Sequence, residues 1–125
     1  MQFVAVAIGA MLGATLRFAV GLWANDRWGT DFPSGTLLIN VSGSFAIGVV
    51  LAFVGDRFGV NPLWRLFLAT GFLGGYTTFS AYSWEALSLA EQGAWLRAGV
   101  YVIDSNALGF VGVWLGATLA RMAPG

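Results

Sequence analysis

The sequence contains no cysteine and no histidine, and only 10% of its 125 residues are charged. Without cysteine the chain offers no thiol and no disulfide bond, and without histidine it lacks imidazole for metal binding or general base catalysis. A histidine-dependent catalytic triad and a zinc hydrolase are therefore excluded. The formal net charge is zero, so no basic excess indicates nucleic-acid binding.

Apolar residues are what the sequence has in excess, since 58% of it is hydrophobic. Soluble domains usually carry about 25% charged residues, and a soluble chain this short has too high a surface-to-volume ratio to hide so much apolar surface. The composition therefore predicts an integral membrane protein. Residues 1–16 are uncharged and lack a positive leading region, so we interpret them as part of a retained helix rather than a cleaved signal.

A helix needs roughly 20 mostly apolar residues to cross the hydrocarbon core of a bilayer. Segments of this kind predict an all-α membrane protein, with a single four-helix transmembrane domain over 1–125 and helices near 2–23, 32–55, 64–90 and 96–120. The connections between the segments are short and polar. Tryptophans fall near the predicted helix ends, where amphipathic rings favour the membrane interface: Trp23, Trp28, Trp64, Trp84 and Trp95.

Positive charge is distributed evenly between the two predicted faces of the membrane. Each face has three arginines, with Arg57, Arg65 and Arg121 on the face of the termini and Arg17, Arg27 and Arg97 on the other. The positive-inside rule depends on an asymmetry between short loops, so here it selects no orientation. Either other features fix one orientation, or copies insert both ways up and pair antiparallel.

The centre of the third segment is poor in helix formers. Gly74 and Gly75 are followed by Thr77 and Thr78, and glycine and β-branched residues disfavour helix interiors. The pattern favours a helix that breaks and restarts in the membrane, where irregular backbone survives only inside protein or beside a cavity. Freed carbonyls there could bind a cation, and a half-helix N-terminus could favour an anion. The alternative is a continuous helix packed tightly through its glycines.

Glycines on the other predicted helices are interpreted mostly as packing positions, because small residues let helices approach closely in lipid. They recur at helical spacing in the first, second and fourth segments: Gly9, Gly13, Gly43, Gly48, Gly109, Gly112 and Gly116.

Aromatic and polar side chains surround the predicted break. Phe79 and Tyr82 are three residues apart and share a helix face, as do Ser80 and Ser83. Ring edges carry partial positive charge and hydroxyls donate hydrogen bonds, so both pairs could stabilise a small anion, although packing alone also explains the rings. Asn40 lies in an apolar part of the second segment, where its amide needs a hydrogen bond. It could link two helices or donate to a passing ion.

Two ionisable residues interrupt the predicted first and fourth helices. Arg17, near the aqueous end of the first, could snorkel to the interface or attract anions to a vestibule. Asp104 lies near the middle of the fourth, where an ionisable residue is a functional candidate. An ionised aspartate beside an anion pathway would repel the anion, so Asp104 would have to be neutral or turned away.

Residues 35–45 (GTLLINVSGSF) and 71–80 (GFLGGYTTFS), with the small-residue opening at 9–17, resemble the CrcB-type (Fluc) fluoride channel family. The resemblance covers essentially the whole chain. It implies passive fluoride efflux that lowers cytoplasmic fluoride, which is not an enzymatic function, in the inner membrane of a prokaryote. It also implies an antiparallel, dual-topology homodimer in the lipid, with two pores and a third helix broken mid-membrane.

The resemblance also implies site residues. A structural sodium ion at the dimer centre would bind the backbone carbonyls of Gly74 and Thr77. With the hydroxyls noted above, the fluoride pathway would be formed by side chains of three predicted helices: Asn40, Phe79, Ser80, Tyr82, Ser83, Tyr101 and Ser105. Tyr82 stands where the family has a phenylalanine, and Asn106 competes with Ser105 for a position on the polar track of the fourth helix.

Two other classes of protein fit parts of the pattern. A small multidrug-type, proton-coupled transporter has a similar length and helix number, and Asp104 could serve as its membrane-embedded acid. The predicted first helix, where such transporters normally carry that acid, contains none. A non-transporting subunit of a larger assembly would explain the glycines but not the grouping of Asn40, Thr77, Phe79 and Ser80.

Overall fold

The computed structural model describes residues 1–55 and 60–124, and regular structure in these ranges is helical. In chain order the helices are α1 (Gln2–Trp28), α2 (Ser34–Gly55), α3 (62–76), α4 (Phe79–Glu91) and α5 (Trp95–Met122). α3 consists of an α-helical turn Pro62–Arg65, a π-helical stretch Leu66–Leu73 and a last turn Gly74–Tyr76. Arg57, which contributes to the predicted charge balance, lies outside the described residues.

Three of the described helices, α1, α2 and α5, are long and apolar enough to cross a membrane. Their most apolar windows have mean hydropathies of 2.0, 2.2 and 1.4. The prediction of an all-α membrane protein is thereby confirmed. The predicted third helix at 64–90 is divided between α3 and α4, neither of which alone is long enough to span the hydrocarbon core.

Local chemistry, rather than hydropathy, sets where the helices begin and end. α1 continues past its predicted end at 23 to Trp28, and Gly29 follows with a φ of 75°, which glycine adopts without steric cost. α3 begins at a cap, because the Asn61 side chain accepts a hydrogen bond from Leu63 N–H at 3.0 Å and Pro62 occupies the first turn.

α2 packs most extensively against α5. The contact depends on glycines, because a Cβ added at Gly48 would collide with the Val113 carbonyl and one added at Gly116 would collide with the Phe45 carbonyl. Two backbones this close gain dispersion contacts along their length, which is the main attraction between helices in lipid. The packing role predicted for these two glycines is confirmed.

α1 packs against α3 in the same way. Gly9 and Gly13 of α1 face the backbone of Phe67 and Phe72 with no room for a side chain, while a Cβ on Gly75 would lie 2.6 Å from the Ala10 carbonyl oxygen. These three glycines therefore hold α1 along α3 up to the end of α3. This contact fixes the position of the residues that follow Tyr76.

The π-helical stretch Leu66–Leu73 is long for its type, since π-helical geometry occurs mostly as single turns and is frequent at functional sites. Because a π-helix has wider turns than an α-helix, the side chains after this stretch point in different directions from those that a continuous α-helix would give them. The sequence pattern does not predict it, because an apolar run such as Leu66–Leu73 is compatible with either geometry.

Candidate functional site

The chain is extended at two residues between α3 and α4. Thr77 has φ −83° and ψ 159°, and Thr78 has φ −150° and ψ 111°. Thr77 ends α3 by donating to the Leu73 carbonyl from both its N–H, at 3.0 Å, and its Oγ1, at 2.9 Å. The Thr78 Oγ1 accepts from Ala81 N–H at 3.2 Å and so caps α4. We call Thr77 and Thr78 the break.

Asn40 of α2 holds the break in place with both ends of its amide. Its Nδ2 donates to the Thr78 carbonyl at 3.0 Å, and its Oδ1 accepts from Thr78 N–H at 2.8 Å. The Asn40 oxygen therefore satisfies the Thr78 N–H, which has no helical partner, and its NH₂ group adds a second hydrogen bond to the Thr78 carbonyl, which as the N-cap carbonyl already accepts the first hydrogen bond of α4. The sequence allowed two roles for Asn40, a link between two helices or a donor to a passing ion. These contacts are those of a link.

The carbonyls at the end of α3 and at the break lose the donors that they would have in a continuous helix, and those of Gly74 and Thr77 are two of them. Gly74 O would accept from Thr78 N–H, which is bonded to Asn40 instead, and Thr77 O would accept from Ala81 N–H, which is bonded to the Thr78 side chain. Gly74 is exposed at the surface of the chain. Among residues 1–55 and 60–124 no group of three or more acidic residues is placed to hold a metal, and backbone carbonyls are among the oxygen atoms that this region offers a cation.

Arg17 of α1 lies at the same place. Its Nε donates to the Gly75 carbonyl at 3.1 Å, and the side chain is partly buried. Gly75 is in the last turn of α3, where a cation interacts favourably with the negative end of the helix dipole. This hydrogen bond connects α1 to the end of α3 next to the break, and Arg17 also lines a small cavity with Asn25 and Thr36.

A groove of about 310 Å³ runs beside the break. We call it the break groove. It is lined by residues of α2, of the break and the adjoining turns, and of α5: Asn40, Gly43, Ser44, Ile47, Leu73, Gly74, Thr77, Thr78, Phe79, Tyr82, Ser105 and Asn106. Most of the predicted pathway residues and both predicted sodium ligands thus share one surface.

Aromatic rings continue from the break groove into the protein, edge against face. Phe79 and Tyr82 have ring centroids 5.6 Å apart, Tyr82 and Tyr101 5.2 Å, and Tyr101 and Phe32 5.5 Å. Phe79 is 78% exposed, whereas Tyr101 is fully buried. The predicted pair Phe79 and Tyr82 is therefore the outer part of a row of rings.

The predicted hydroxyls separate into two groups. Ser83 donates to the Phe79 carbonyl at 2.9 Å and lies outside the break groove, and Ser80 lies 3.3 Å from the Thr78 hydroxyl. Ser105 lines the groove, and its Oγ is enclosed without a hydrogen-bond partner among the described residues, as is the hydroxyl of Tyr101.

A family model described as "CrcB-like protein, Camphor Resistance (CrcB)" matches residues 4–117. The chain belongs to the CrcB family. The resemblance of its second and third segments to that family is confirmed.

Relatives in the CrcB family match over nearly their whole length. A protein of Roseiflexus sp. (strain RS-1) named fluoride-specific ion channel FluC is 49% identical over 99% of this chain and 100% of its own. Proteins of the same name from Acidobacterium capsulatum and Methylobacterium nodulans are 46% and 50% identical, over 97% and 92% of this chain and 97% and 90% of their own. With the apolar helices, these matches make the chain a multi-pass membrane protein of bacterial type.

The structure of this CrcB-family chain adds a polar pair that the sequence analysis missed. Thr36 Oγ1 donates to the Glu85 carboxylate, 2.7 Å from Oε1 and 3.0 Å from Oε2, and the Tyr101 hydroxyl lies beside both side chains. Glu85 also lines a second, polar cavity of about 450 Å³ with Asp31 and Arg97. A signal was present, because Glu85 is the only acid in the predicted helix 64–90.

Asp104 is half-buried on α5 and lines neither the break groove nor the polar cavity. Asp104, the acid that a proton-coupled transporter would need, therefore does not line either of these two cavities.

Proposed function

We propose that the chain is a fluoride-selective channel that gives passive fluoride efflux and lowers cytoplasmic fluoride. The observation that carries the proposal is the break groove, in which ring edges and hydroxyls of α4 and α5 meet the freed backbone at Thr77 and Thr78. The relatives' printed name supplies the ion. The family and these names favour a channel over an enzyme and over a proton-coupled transporter that uses Asp104.

The chemistry of the lining suits a small anion. Fluoride loses hydration in a narrow path, and conduction requires that weak, successive contacts replace it. The edges of Phe79 and Tyr82 present partial positive charge, and the row of rings connects the break groove to Tyr101 and the polar pair of Thr36 and Glu85. We infer that fluoride follows this row, with hydroxyls as donors where the rings end.

A second copy of the chain is part of the proposal. On one copy the Gly74 backbone and the Asn106 amide are exposed, and Phe79 is 78% exposed. Backbone and amide groups facing hydrocarbon would each cost several kcal/mol, so we infer that another copy covers the break groove. The even distribution of arginine supports an antiparallel, dual-topology pair, in which α3 and α4 together cross the bilayer as one interrupted span.

A sodium ion fits the break. Backbone carbonyls suit a hard monovalent cation, and the carbonyls of Gly74 and Thr77 are among those freed from helical hydrogen bonds at the break. We propose that they hold the ion between the two copies, where its charge would offset the carbonyl dipoles that meet there. The setting is the inner membrane of a prokaryote.

The proposal is tested by fluoride release from liposomes that contain the purified protein, measured with a fluoride electrode, with chloride release as the comparison. Rapid fluoride release with negligible chloride release is expected. A well-folded dimer that releases no fluoride would contradict the function.

Topology and sodium are tested separately. Tags on either terminus are expected to report both orientations in one membrane, and a single orientation would rule out the antiparallel pair. Replacing sodium by a large organic cation during purification is expected to weaken the dimer in a sedimentation measurement, and an unchanged dimer would remove sodium from the proposal.

A further inference from the structure

The hydroxyl of Tyr82 has a specific partner on the neighbouring helix. Asn106 Nδ2 of α5 lies 3.1 Å from the Tyr82 Oη and 2.9 Å from the carbonyl oxygen of Val102, one turn earlier in α5. Both residues line the break groove. Ser105 and Asn106, the two candidates for the polar track of the fourth helix, therefore both line the groove, but of the two only Asn106 has a side-chain hydrogen bond among the described residues.

The direction of the bond to Tyr82 follows from the chemistry of Val102. A carbonyl only accepts, so the amide atom that faces it is the NH₂ group, which only donates. Nδ2 therefore also donates to Tyr82, and the Tyr82 Oη accepts. The hydroxyl hydrogen of Tyr82 is therefore not used in this bond, and no acceptor for it is found among residues 1–55 and 60–124.

Ser105 next to Asn106 is a second unused donor. Helical serines usually donate to the carbonyl four residues earlier, and in this chain Ser83 and Ser88 do so at 2.9 Å and 2.8 Å. Ser105 does not, and its enclosed Oγ has no partner in the described part of the chain. A buried hydroxyl without a partner is costly, so its place beside the groove calls for an acceptor.

We propose that the Tyr82 hydroxyl binds fluoride directly in the break groove, beside Ser105, and that Asn106 is the positioning residue that turns its hydrogen toward the ion. The inference rests on the proposed function and goes beyond it, because a phenylalanine at this position offers only a ring edge. Hydrogen bonds from hydroxyl groups to anions are roughly twice as strong as neutral ones. Tyr82 thus makes fluoride binding tighter in this chain than the rings alone would.

The test is the fluoride concentration that gives half-maximal conductance, measured in planar bilayers for four proteins: wild type, Tyr82→Phe, Asn106→Leu and the double variant. Tyr82→Phe is expected to raise this concentration about tenfold, which corresponds to losing ~1.4 kcal/mol, at the low end for a hydrogen bond to a charged group. Asn106→Leu is expected to raise the half-maximal fluoride concentration in the wild-type background. In the Tyr82→Phe background the same substitution should change this concentration by less than about twofold, the usual error of additivity.

Tyr76→Phe is the matched control. It removes the same atom, but the Tyr76 hydroxyl does not line the break groove and is hydrogen-bonded to Ser42 Oγ at 2.9 Å. In the Tyr76→Phe variant Ser42 keeps its hydrogen bond to the Ile39 carbonyl. Its half-maximal concentration should equal that of wild type.

Two results would overturn the inference while the channel function stands: a conducting wild type matched by Tyr82→Phe, or an Asn106→Leu effect of equal size in both backgrounds. A folded wild type that conducts no fluoride would overturn the proposed function itself.

Discussion

Asn40→Ala tests whether the break depends on one side chain. The substitution removes the donor to the Thr78 carbonyl and the acceptor for Thr78 N–H, which lie at 3.0 Å and 2.8 Å. Since α3 and α4 offer the Thr78 N–H no helical partner, we expect the break to open more often in the variant.

The expected magnitude follows from the Thr78 N–H, which loses its partner, whereas the Thr78 carbonyl keeps the first hydrogen bond of α4. Leaving a buried donor or acceptor unpaired costs about 1–3 kcal/mol, and water in the groove can reach part of this site. We therefore expect about 1–2 kcal/mol, in the lower half of this range. This corresponds to a roughly 5- to 30-fold faster exchange of the Thr78 amide, where exchange reports the equilibrium between closed and open backbone.

Amide hydrogen exchange of a peptide spanning the break, followed by mass spectrometry in detergent, measures this effect. Ser42→Ala is the control, because Ser42 bonds α2 to Tyr76 beside the break without contacting Thr78. Its effect on Thr78 exchange should be small. Equal Thr78 exchange in Asn40→Ala and wild type would refute the view that Asn40 replaces the missing helical partner of the Thr78 N–H.

Three further substitutions test other parts of the structure. Phe79→Ile is expected to abolish fluoride release in liposomes and to leave the dimer intact, because it keeps an apolar side chain but removes the ring edge; full release would exclude the rings from conduction. Gly116→Val is expected to destabilise the fold by roughly 1–3 kcal/mol, seen as a lower thermal midpoint, whereas Gly99→Val, which faces open space, should leave the midpoint unchanged. Arg17→Met is expected to lower the midpoint by losing about 1.5–3 kcal/mol from its bond to the Gly75 carbonyl. Wild-type stability in that variant would instead favour a role for Arg17 in attracting anions.

Much of the candidate site follows from residue types that are expensive or unusual in lipid. Asn40 in an apolar stretch needs a partner, and the run from Gly74 to Thr78 disfavours a helix, so both could be identified without coordinates. Glu85 was accessible by the same reasoning, as the only acid of its predicted helix. The residues of the site that are ordinary in lipid, such as Thr36, carry no such signal.

The pairing of these residues could not be predicted, because it depends on distances between helices. Nothing in the sequence connects Asn40 to Thr78 rather than to an ion, or Arg17 to the Gly75 carbonyl rather than to a vestibule. Ser83 and Ser105 are equivalent by type, yet one donates to its own helix and the other is left enclosed without a partner among the described residues. The π-helical stretch Leu66–Leu73, which alters the facing of later side chains, also lies beyond a pattern of apolar residues.

The sequence alone determined that the chain is a helical membrane protein of the CrcB family, because an apolar composition with few charges is stable only in lipid and because the motif around 71–80 is long and specific. The tertiary structure decided which polar groups meet. Glycines let α1 approach α3, and α2 approach α5, to backbone contact. The Asn40 amide meets the Thr78 backbone where α2 contacts the break, and the Asn106 amide meets Tyr82 where α5 contacts α4, since hydrogen bonds form only where packing brings donor and acceptor within about 3 Å.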